Sequence, residues 1–241
     1  MKSGIALAHK IPLAGFFITV TVALAVGLVS YFESIKLVKE QEYDKLKIES
    51  QIVTPILSDF YKQSALDASF LGNLPAVQKA IEAGNSKNES EFSVWQERLN
   101  VTFLELMKTK SSYRKISLVL FSDEFGTVAS VIRQEQRLIS INPSVLSSTN
   151  EVDEFGKVHL SKSSSAYFSS LYQVVEETGK FKNVLSVAAP VFDYPYKQQV
   201  GNIVIELDFD TFIKDLKDSS LKDIPFFIAN PDGEIIYEPL G

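Results

Sequence analysis

An apolar segment without a single charged side chain lies close to the N-terminus and constrains the fold more than any other feature. It runs from Ile11 to Phe32. About 20 apolar residues, each adding about 1.5 Å of helix, cross a hydrocarbon layer about 30 Å thick. A cleaved signal peptide has a shorter apolar region, of about 7–15 residues, followed by a small-residue cleavage site, and Ser30–Glu33 offers no such site. The segment is therefore predicted to be an uncleaved transmembrane signal anchor.

The charges that flank this segment predict its orientation. Lys2 and Lys10 precede it, whereas the two lysines that follow it, Lys36 and Lys39, lie between Glu33 and Glu40. The free amino terminus adds a further positive charge to the first side, and positive charge favours the cytoplasmic side of a membrane. We expect residues 1–10 to lie in the cytoplasm and everything after Phe32 to lie outside.

The composition excludes several classes of protein. The 241 residues carry a net charge of −6, two histidines and no cysteine. An acidic chain lacks the basic surface that nucleic acids require, and a chain without cysteine has no disulfides and no sulfur ligands. Neither a G-x-S-x-G nucleophile elbow nor a phosphate-binding glycine loop occurs. We therefore expect no nucleic-acid partner, no enzymatic activity, no metal and no cofactor.

Beyond the apolar segment, the hydrophobic spacing changes from helical to strand-like. Helical spacing continues from Glu33 to about Ala83, with Pro55 expected to kink or break the helix, and a second amphipathic helix spans Phe92–Leu106. The remaining predicted elements are strands at 116–121, 127–132, 184–192 and 200–209, helices at 166–177 and 210–217, loops over 133–166, and a hairpin at 226–237 with a type I turn. Hairpins that form one antiparallel sheet, covered by helices, predict an α+β fold.

Five side chains are candidates for a binding site. Tyr167 and Phe168 are adjacent aromatic residues at the start of a predicted helix, and Ser186 lies on the strand that follows. Glu206 is a carboxylate within an otherwise apolar strand, so it faces either water or a polar ligand. Arg133 follows the first hairpin and is a candidate partner for Glu206 or for an anion. An ordinary solvent-facing position is the alternative for both charged residues.

Six stretches of the chain, in this order, resemble the extracytoplasmic double Cache (tandem PAS-like) sensor domains of bacterial histidine kinases, diguanylate cyclases and chemoreceptors. They are DASFLGNLPAVQKAI, SVWQERLNVTFLEL, SSYRKISLVLFSDEFGTVASVI, AYFSSLYQ, VLSVAAPVFD and VGNIVIELDFDTFI. The resemblance covers Asp67 to the end of the chain. It implies a single-pass protein of the bacterial inner membrane, with a sensor domain that faces the periplasm and binds a small polar ligand.

The resemblance also implies roles for individual residues. Tyr167 and Phe168 match an aromatic pair of the family, and Glu206 matches an acidic ligand-binding position. Ser165 stands where amino-acid-binding relatives carry an arginine. An amino-acid ligand would therefore lack the bidentate partner of its carboxylate.

The domain organisation implied by the resemblance has five parts. They are a cytoplasmic tail (1–10), the membrane anchor (11–32), a helical stalk (33–83), a membrane-distal sensor module (84–217) and the incomplete start of a second module (218–241). The chain is thus expected to end inside the second module and to lack an effector domain.

The resemblance further implies a homodimer that forms through the long helix, since many such receptors dimerise there. The seam would comprise Ile35, Val38, Leu46 and Ile56.

The sequence leaves two other functions open. One alternative function is a membrane-anchored extracytoplasmic domain that binds another protein and no small molecule. The other is a membrane-anchored hydrolase built around His159.

Overall fold

The computed structural model describes residues 3–121, 126–135, 137–141, 166–176, 178–194, 196–220, 228–229 and 235–237. The helices are α1 (Ser3–Gly72), α2 (Pro75–Asn85), α3 (Glu89–Thr109) and α4 (Phe209–Ser220). The strands are β1 (Tyr113–Leu120), β2 (Thr127–Gln134), β3 (Arg137–Ser140), β4 (Tyr167–Phe168), β5 (Tyr172–Val175), β6 (Phe181–Asp193), β7 (Gln198–Asp208), β8 (Ile228–Ala229) and β9 (Ile235–Tyr237). The chain divides into two compact units, Met1–Ile56 and Leu57–Gly241.

The first unit consists of the N-terminal part of α1. Within the described helices, Phe16–Lys45 is long and apolar enough to cross a membrane, and none of it is buried against other parts of the chain. Pro55 was expected either to kink the helix or to break it. The helix is continuous through Pro55, so it is not broken there. A proline removes one helical hydrogen bond, and the turns on both sides carry the helix across that gap.

The second unit is built on an antiparallel sheet with the strand order β3-β2-β1-β7-β6-β4, and β5 also pairs with β6. The long strands β1, β7 and β6 form its centre, while short strands lie at its edges. Together with the helices, this sheet confirms the predicted α+β fold. The final hairpin is also present as the pair β8–β9, but its predicted turn lies outside the described residues.

The helix predicted for 166–177 is wrong, because that stretch forms β4 and β5. Tyr167 pairs with Ala188, and Tyr172 pairs with Val184, so both short strands add to the edge of β6. Aromatic and β-branched side chains suit a pleated surface, and the edge of β6 satisfies the backbone groups of this stretch. The predicted loop at 133–166 is likewise interrupted by β3, which pairs with β2.

Residues that suit a helix start lie at the N-terminal ends of α2, α3 and α4. Pro75 occupies the first turn of α2, and the Asn88 side chain accepts a hydrogen bond from the Glu91 amide at the start of α3. At α4 the capping residue is Asp208, which accepts from the Thr211 amide. Asp210, at the second position of α4, accepts two hydrogen bonds from Asn183 and joins α4 to β6.

The sheet has two chemically different faces, which follow from alternation along the strands. The helix face packs with α1, α2 and α3 in one apolar core. That core includes Ile116, Leu118, Val131, Val187, Ile203 and Ile205 from the sheet and Ala68, Leu71, Val77, Leu99 and Phe103 from the helices. The opposite face, called the polar face below, comprises Lys115, Ser117, Ser130, Ser186 and Glu206, together with the apolar cluster Val119, Ala188 and Val204.

Gly201 sets the distance between strands at one end of the sheet. It is paired with Leu120 on β1 and Val191 on β6. A Cβ atom at this position would overlap the carbonyl oxygen of Val119 and approach the Leu120 Cα atom to 3.0 Å. Only glycine allows the strands to come this close.

Candidate ligand-binding site

The sheet brings three of the five predicted site residues to the polar face. Ser186 and Glu206 are directly opposite each other on β6 and β7. Tyr167 on β4 pairs with Ala188, which alternates with Ser186 on the same face. Tyr167 is 48% exposed, whereas Ser186 is buried. An exposed aromatic ring and two polar groups therefore share one surface.

Phe168 and Arg133 have other roles in the structure. Phe168 lies on the helix face, where its ring centroid is 5.0 Å from that of Tyr61 on α1. Arg133 donates hydrogen bonds to the carbonyl oxygens of Met107, Lys110 and Tyr113, and so caps the C-terminal end of α3. Burial lowers the pKa of Arg133 from its ordinary value. The salt bridge between Arg133 and Glu206 that the sequence left open is not formed.

Glu206 is paired with two neighbouring cations of β1 instead. Its carboxylate accepts from Arg114 and lies 3.3 Å from the Lys115 Nζ atom. The register of β1 on β7 shifts between Tyr113 and Lys115, and this bulge lets two consecutive side chains reach the same carboxylate. All three charged side chains are at most 14% exposed. Glu206 therefore belongs to a half-buried charge cluster on an inner strand and does not face open water.

A second charge cluster continues the first one along the polar face. The Lys182 ammonium lies 2.7 Å from Asp208 and 2.9 Å from Glu176. Burial alone lowers the pKa of Lys182, but the hydrogen bonds to these two carboxylates outweigh it and raise the pKa above the ordinary value. Lys182 is therefore a fixed positive charge at neutral pH.

Hydroxyl groups connect the rest of the polar face. The Oγ atoms of Ser117 and Ser130 are 2.9 Å apart, across β1 and β2. The Tyr172 hydroxyl is 2.7 Å from the Ser186 Oγ atom. A buried hydroxyl is stable only when it is hydrogen-bonded, so each of these pairs satisfies two groups at once. The polar face is thus preorganised by its own internal hydrogen bonds.

A cavity of about 470 Å³ adjoins the charge clusters, at the end of the sheet where β1 begins and β2 ends. Its charged lining consists of three arginines and two glutamates, which are Arg114, Arg133, Arg137, Glu135 and Glu176. This volume falls within the range of about 300–1,000 Å³ that is usual for small-molecule pockets. Of the predicted site residues, Arg133 lines this cavity, and Glu206 is linked to it through Arg114.

Sequence reasoning missed Arg114, Lys115, Arg137 and Lys182. The residues Arg114 and Glu206 are 92 positions apart, and only the pairing of β1 with β7 brings them together. The available signal was a pair of adjacent cations, Arg114 and Lys115, at the start of an apolar strand. His159, the centre of the alternative hydrolase site, lies outside the described residues. Within the part of the chain that the structure describes, no cluster of histidine and carboxylate side chains is arranged to hold a metal ion.

Comparison with known proteins gives a likeness of fold. No family model and no curated protein matches the sequence. Among solved structures, "Methyl-accepting Chemotaxis protein X" superimposes with a TM-score of 0.54 at 12% identity, over 84% of this chain and 76% of that chain. The chain shares the fold of that chemotaxis protein.

Two further solved structures superimpose with lower TM-scores and over smaller shares of this chain. The domain of a sensory box/GGDEF family protein from Vibrio parahaemolyticus gives a TM-score of 0.49 at 10% identity, over 80% of this chain and 69% of that chain. The periplasmic sensory domain of the Campylobacter jejuni chemoreceptor Tlp1 gives 0.36 at 19% identity, and the match spans 53% of this chain and half of that one. The match to the chemotaxis protein confirms, at the level of the fold, the resemblance seen in the sequence.

Proposed function

We propose that this chain is the membrane-anchored, extracytoplasmic ligand-sensing region of a bacterial signal-transduction receptor. One observation carries the proposal. A fully exposed apolar helical stretch, Phe16–Lys45, continues in the same helix to residues that pack on a sheet with a receptor sensory fold. An exposed apolar stretch of this length is stable in lipid and unstable in water. The sensing surface in this proposal is the polar face with its adjoining cavity.

The route from this surface to α1 is short. Arg133 lines the cavity and donates to the carbonyl oxygens of Lys110 and Tyr113. Both of these residues contact Asp67 on α1, through the Lys110 ammonium at 3.6 Å and the Tyr113 hydroxyl at 2.6 Å. A ligand that interacts differently with two arrangements of these groups would shift the position of α1. The helix that carries the membrane anchor is therefore the output element of the proposed sensor.

Membrane topology is tested most directly with single-cysteine variants, because the chain has no cysteine of its own. Glu97→Cys places a thiol on the exposed surface of α3, and Ser3→Cys places one before the apolar stretch. In intact spheroplasts, we expect a membrane-impermeant maleimide to label Glu97→Cys, whereas Ser3→Cys reacts only after lysis. Labelling in the opposite order, or recovery of the chain in the soluble fraction, would overturn the proposal.

Ligand sensing is tested by thermal stability of the full chain in detergent micelles against a library of small metabolites. A compound present at 100 times its dissociation constant stabilises the folded state by about 2.7 kcal/mol, which raises the melting temperature by several degrees. We expect at least one compound to do so. A folded chain that responds to none of them would contradict the sensing function.

A second candidate function, recognition of a protein partner, is favoured by one observation. Val175 and Phe181 pair across β5 and β6, yet their side chains are 60% and 67% exposed. Contiguous exposed apolar surface is typical of protein contact sites, and this pair would form the centre of such a surface. If this function is correct, Phe181→Ser abolishes partner binding, and no small molecule changes the melting temperature.

A further inference from the structure

We propose that the cavity at the end of the sheet binds a small organic anion, whose carboxylate or phosphate group is held by Arg114 and Arg137. This inference rests on the proposed sensing function and specifies the chemistry of its ligand.

The carboxylates beside the cavity are mostly neutralised by cations. Glu176 and Asp208 share Lys182, and Glu206 is shared by Arg114 and Lys115. The remaining lining carboxylate, Glu135, is exposed in the turn between β2 and β3. An anion that enters the cavity therefore meets few uncompensated negative charges.

The arginines of the cavity are compensated less completely. Arg133 is bound to three carbonyl oxygens, which accept its hydrogen bonds but carry no net charge to neutralise it. Within the described chain, Arg137 forms no ion pair, although it lies beside Arg133 and Arg114 at the cavity. The cavity thus has an excess of positive charge in a chain whose net charge is −6. Guanidinium groups bind carboxylate and phosphate in bidentate fashion, which gives the site its selectivity.

The uncharged part of the lining favours an organic molecule over a bare inorganic ion. Ile132, Ile139 and Val175 contribute apolar surface to the same cavity. The side chains of Ile139 and Val175 are exposed, so a ligand with a carbon skeleton would remove apolar surface from water. A cavity of about 470 Å³ accommodates such a molecule.

Glu206 already occupies the position of a ligand carboxylate on Arg114. It is part of the chain, so it competes with an incoming anion for the same guanidinium group. A ligand that displaces it releases a carboxylate on β7, next to Ser186 on β6. Glu206 thus lowers the affinity of the cavity for an anion, and removal of its charge strengthens the binding of an anion.

The test measures calorimetric binding to the full chain in detergent micelles. The probes are succinate and glycerol 3-phosphate, each compared with an uncharged counterpart, succinamide and glycerol. We expect at least one anion to bind and its counterpart to be silent, and the probe that binds identifies carboxylate or phosphate as the recognised group. Arg137→Gln should weaken binding about tenfold, which corresponds to about 1.4 kcal/mol. Glu206→Gln should strengthen binding severalfold.

Arg98→Gln is the matched control, because Arg98 is also an exposed arginine but stacks on Trp95 at 4.5 Å, outside the cavity lining. It removes the same charge and should leave binding unchanged. The proposal is overturned if neither anion binds, if Arg98→Gln and Arg137→Gln weaken binding equally, or if Glu206→Gln weakens it. Failure of both anions while other library compounds bind refutes this inference alone, whereas silence of the whole library also refutes the sensing function.

Discussion

The two faces of the same sheet differ in almost every chemical respect. The helix face is apolar and is closed by three helices, with side chains such as Ile205 and Phe103 buried completely. The polar face carries serine hydroxyls, two charge clusters and the edge of a cavity. Both faces contain buried residues, so burial alone does not distinguish them.

The difference separates stability from recognition. Burial of apolar surface stabilises the folded state by about 25 cal/mol per Å², and it does not depend on the direction of the contacts. The helix face therefore holds the sheet against the helices. Hydrogen-bonded and ionic groups add little net stability but fix geometry, because an unpaired buried polar group is costly. The polar face therefore contributes to the specificity of recognition and changes the free energy of unfolding only a little.

The largest expected effect comes from the helix face. Phe103 on α3 is buried completely, so Phe103→Ala should lower the free energy of unfolding by about 3–5 kcal/mol. Val101→Ala, on the exposed side of the same helix, should change it by less than about 0.5 kcal/mol. Urea denaturation of the chain in micelles measures both. Equal effects of the two substitutions would show that α3 does not pack on the sheet as described.

An intermediate effect is expected at Tyr113, where the helix face meets α1. Tyr113→Phe removes the hydrogen bond to Asp67 and should lower the free energy of unfolding by about 1.5–3 kcal/mol. Burial, followed by the bond to Asp67, raises the pKa of Tyr113 above its ordinary value of 10.0. The folded state thus keeps a proton that the unfolded state loses, so this contribution is complete below pH 10.0 and falls as the pH rises further.

The pH dependence distinguishes this contribution from simple packing. The melting temperature of the wild-type chain should fall between pH 9 and pH 11 by more than that of Tyr113→Phe. A parallel fall in both chains would mean that Tyr113 titrates normally and that the contact with Asp67 is not formed.

The smallest expected effect is on the polar face itself. Ser117→Ala leaves the Ser130 hydroxyl without its partner and should cost about 1 kcal/mol. The double variant Ser117→Ala/Ser130→Ala removes both hydroxyls and should cost no more than the single one. A double-mutant cycle by denaturant titration gives the coupling directly. Strictly additive losses would indicate that the two hydroxyls do not bind each other.

Local patterns in the sequence predicted much of the fold. The amphipathic helix α3, with its apolar stripe through Leu99 and Phe103, and the four long strands are all present. Each of these features is determined by neighbouring residues within one or two turns or within one strand. Periodicity therefore suffices to identify them.

Features that depend on distant partners could not be predicted in this way. The stretch Tyr167–Val175 carries aromatic and β-branched residues but becomes strand only because β6 offers an edge. Glu206 stood out as a charge in an apolar strand, yet its partners Arg114 and Lys115 depend on strand order and on a bulge. The charge of Arg133 marks it in the sequence, whereas its role at the end of α3 follows from tertiary packing.

The close approach of strands at Gly201 has a consequence for how the sheet can adapt. That glycine lies beside Leu120, at one end of β1, and Arg114 with the cavity lies at the other end of the same strand. The Gly201 end tolerates no side chain, whereas the Arg114 end carries the long side chains that line the cavity. The strands remain paired at the Arg114 end too, since Tyr113 pairs with Leu207 and Val184 with Asp208. Differences in ligand size would therefore be taken up by rotation of these long side chains, while the backbone of the sheet keeps its shape.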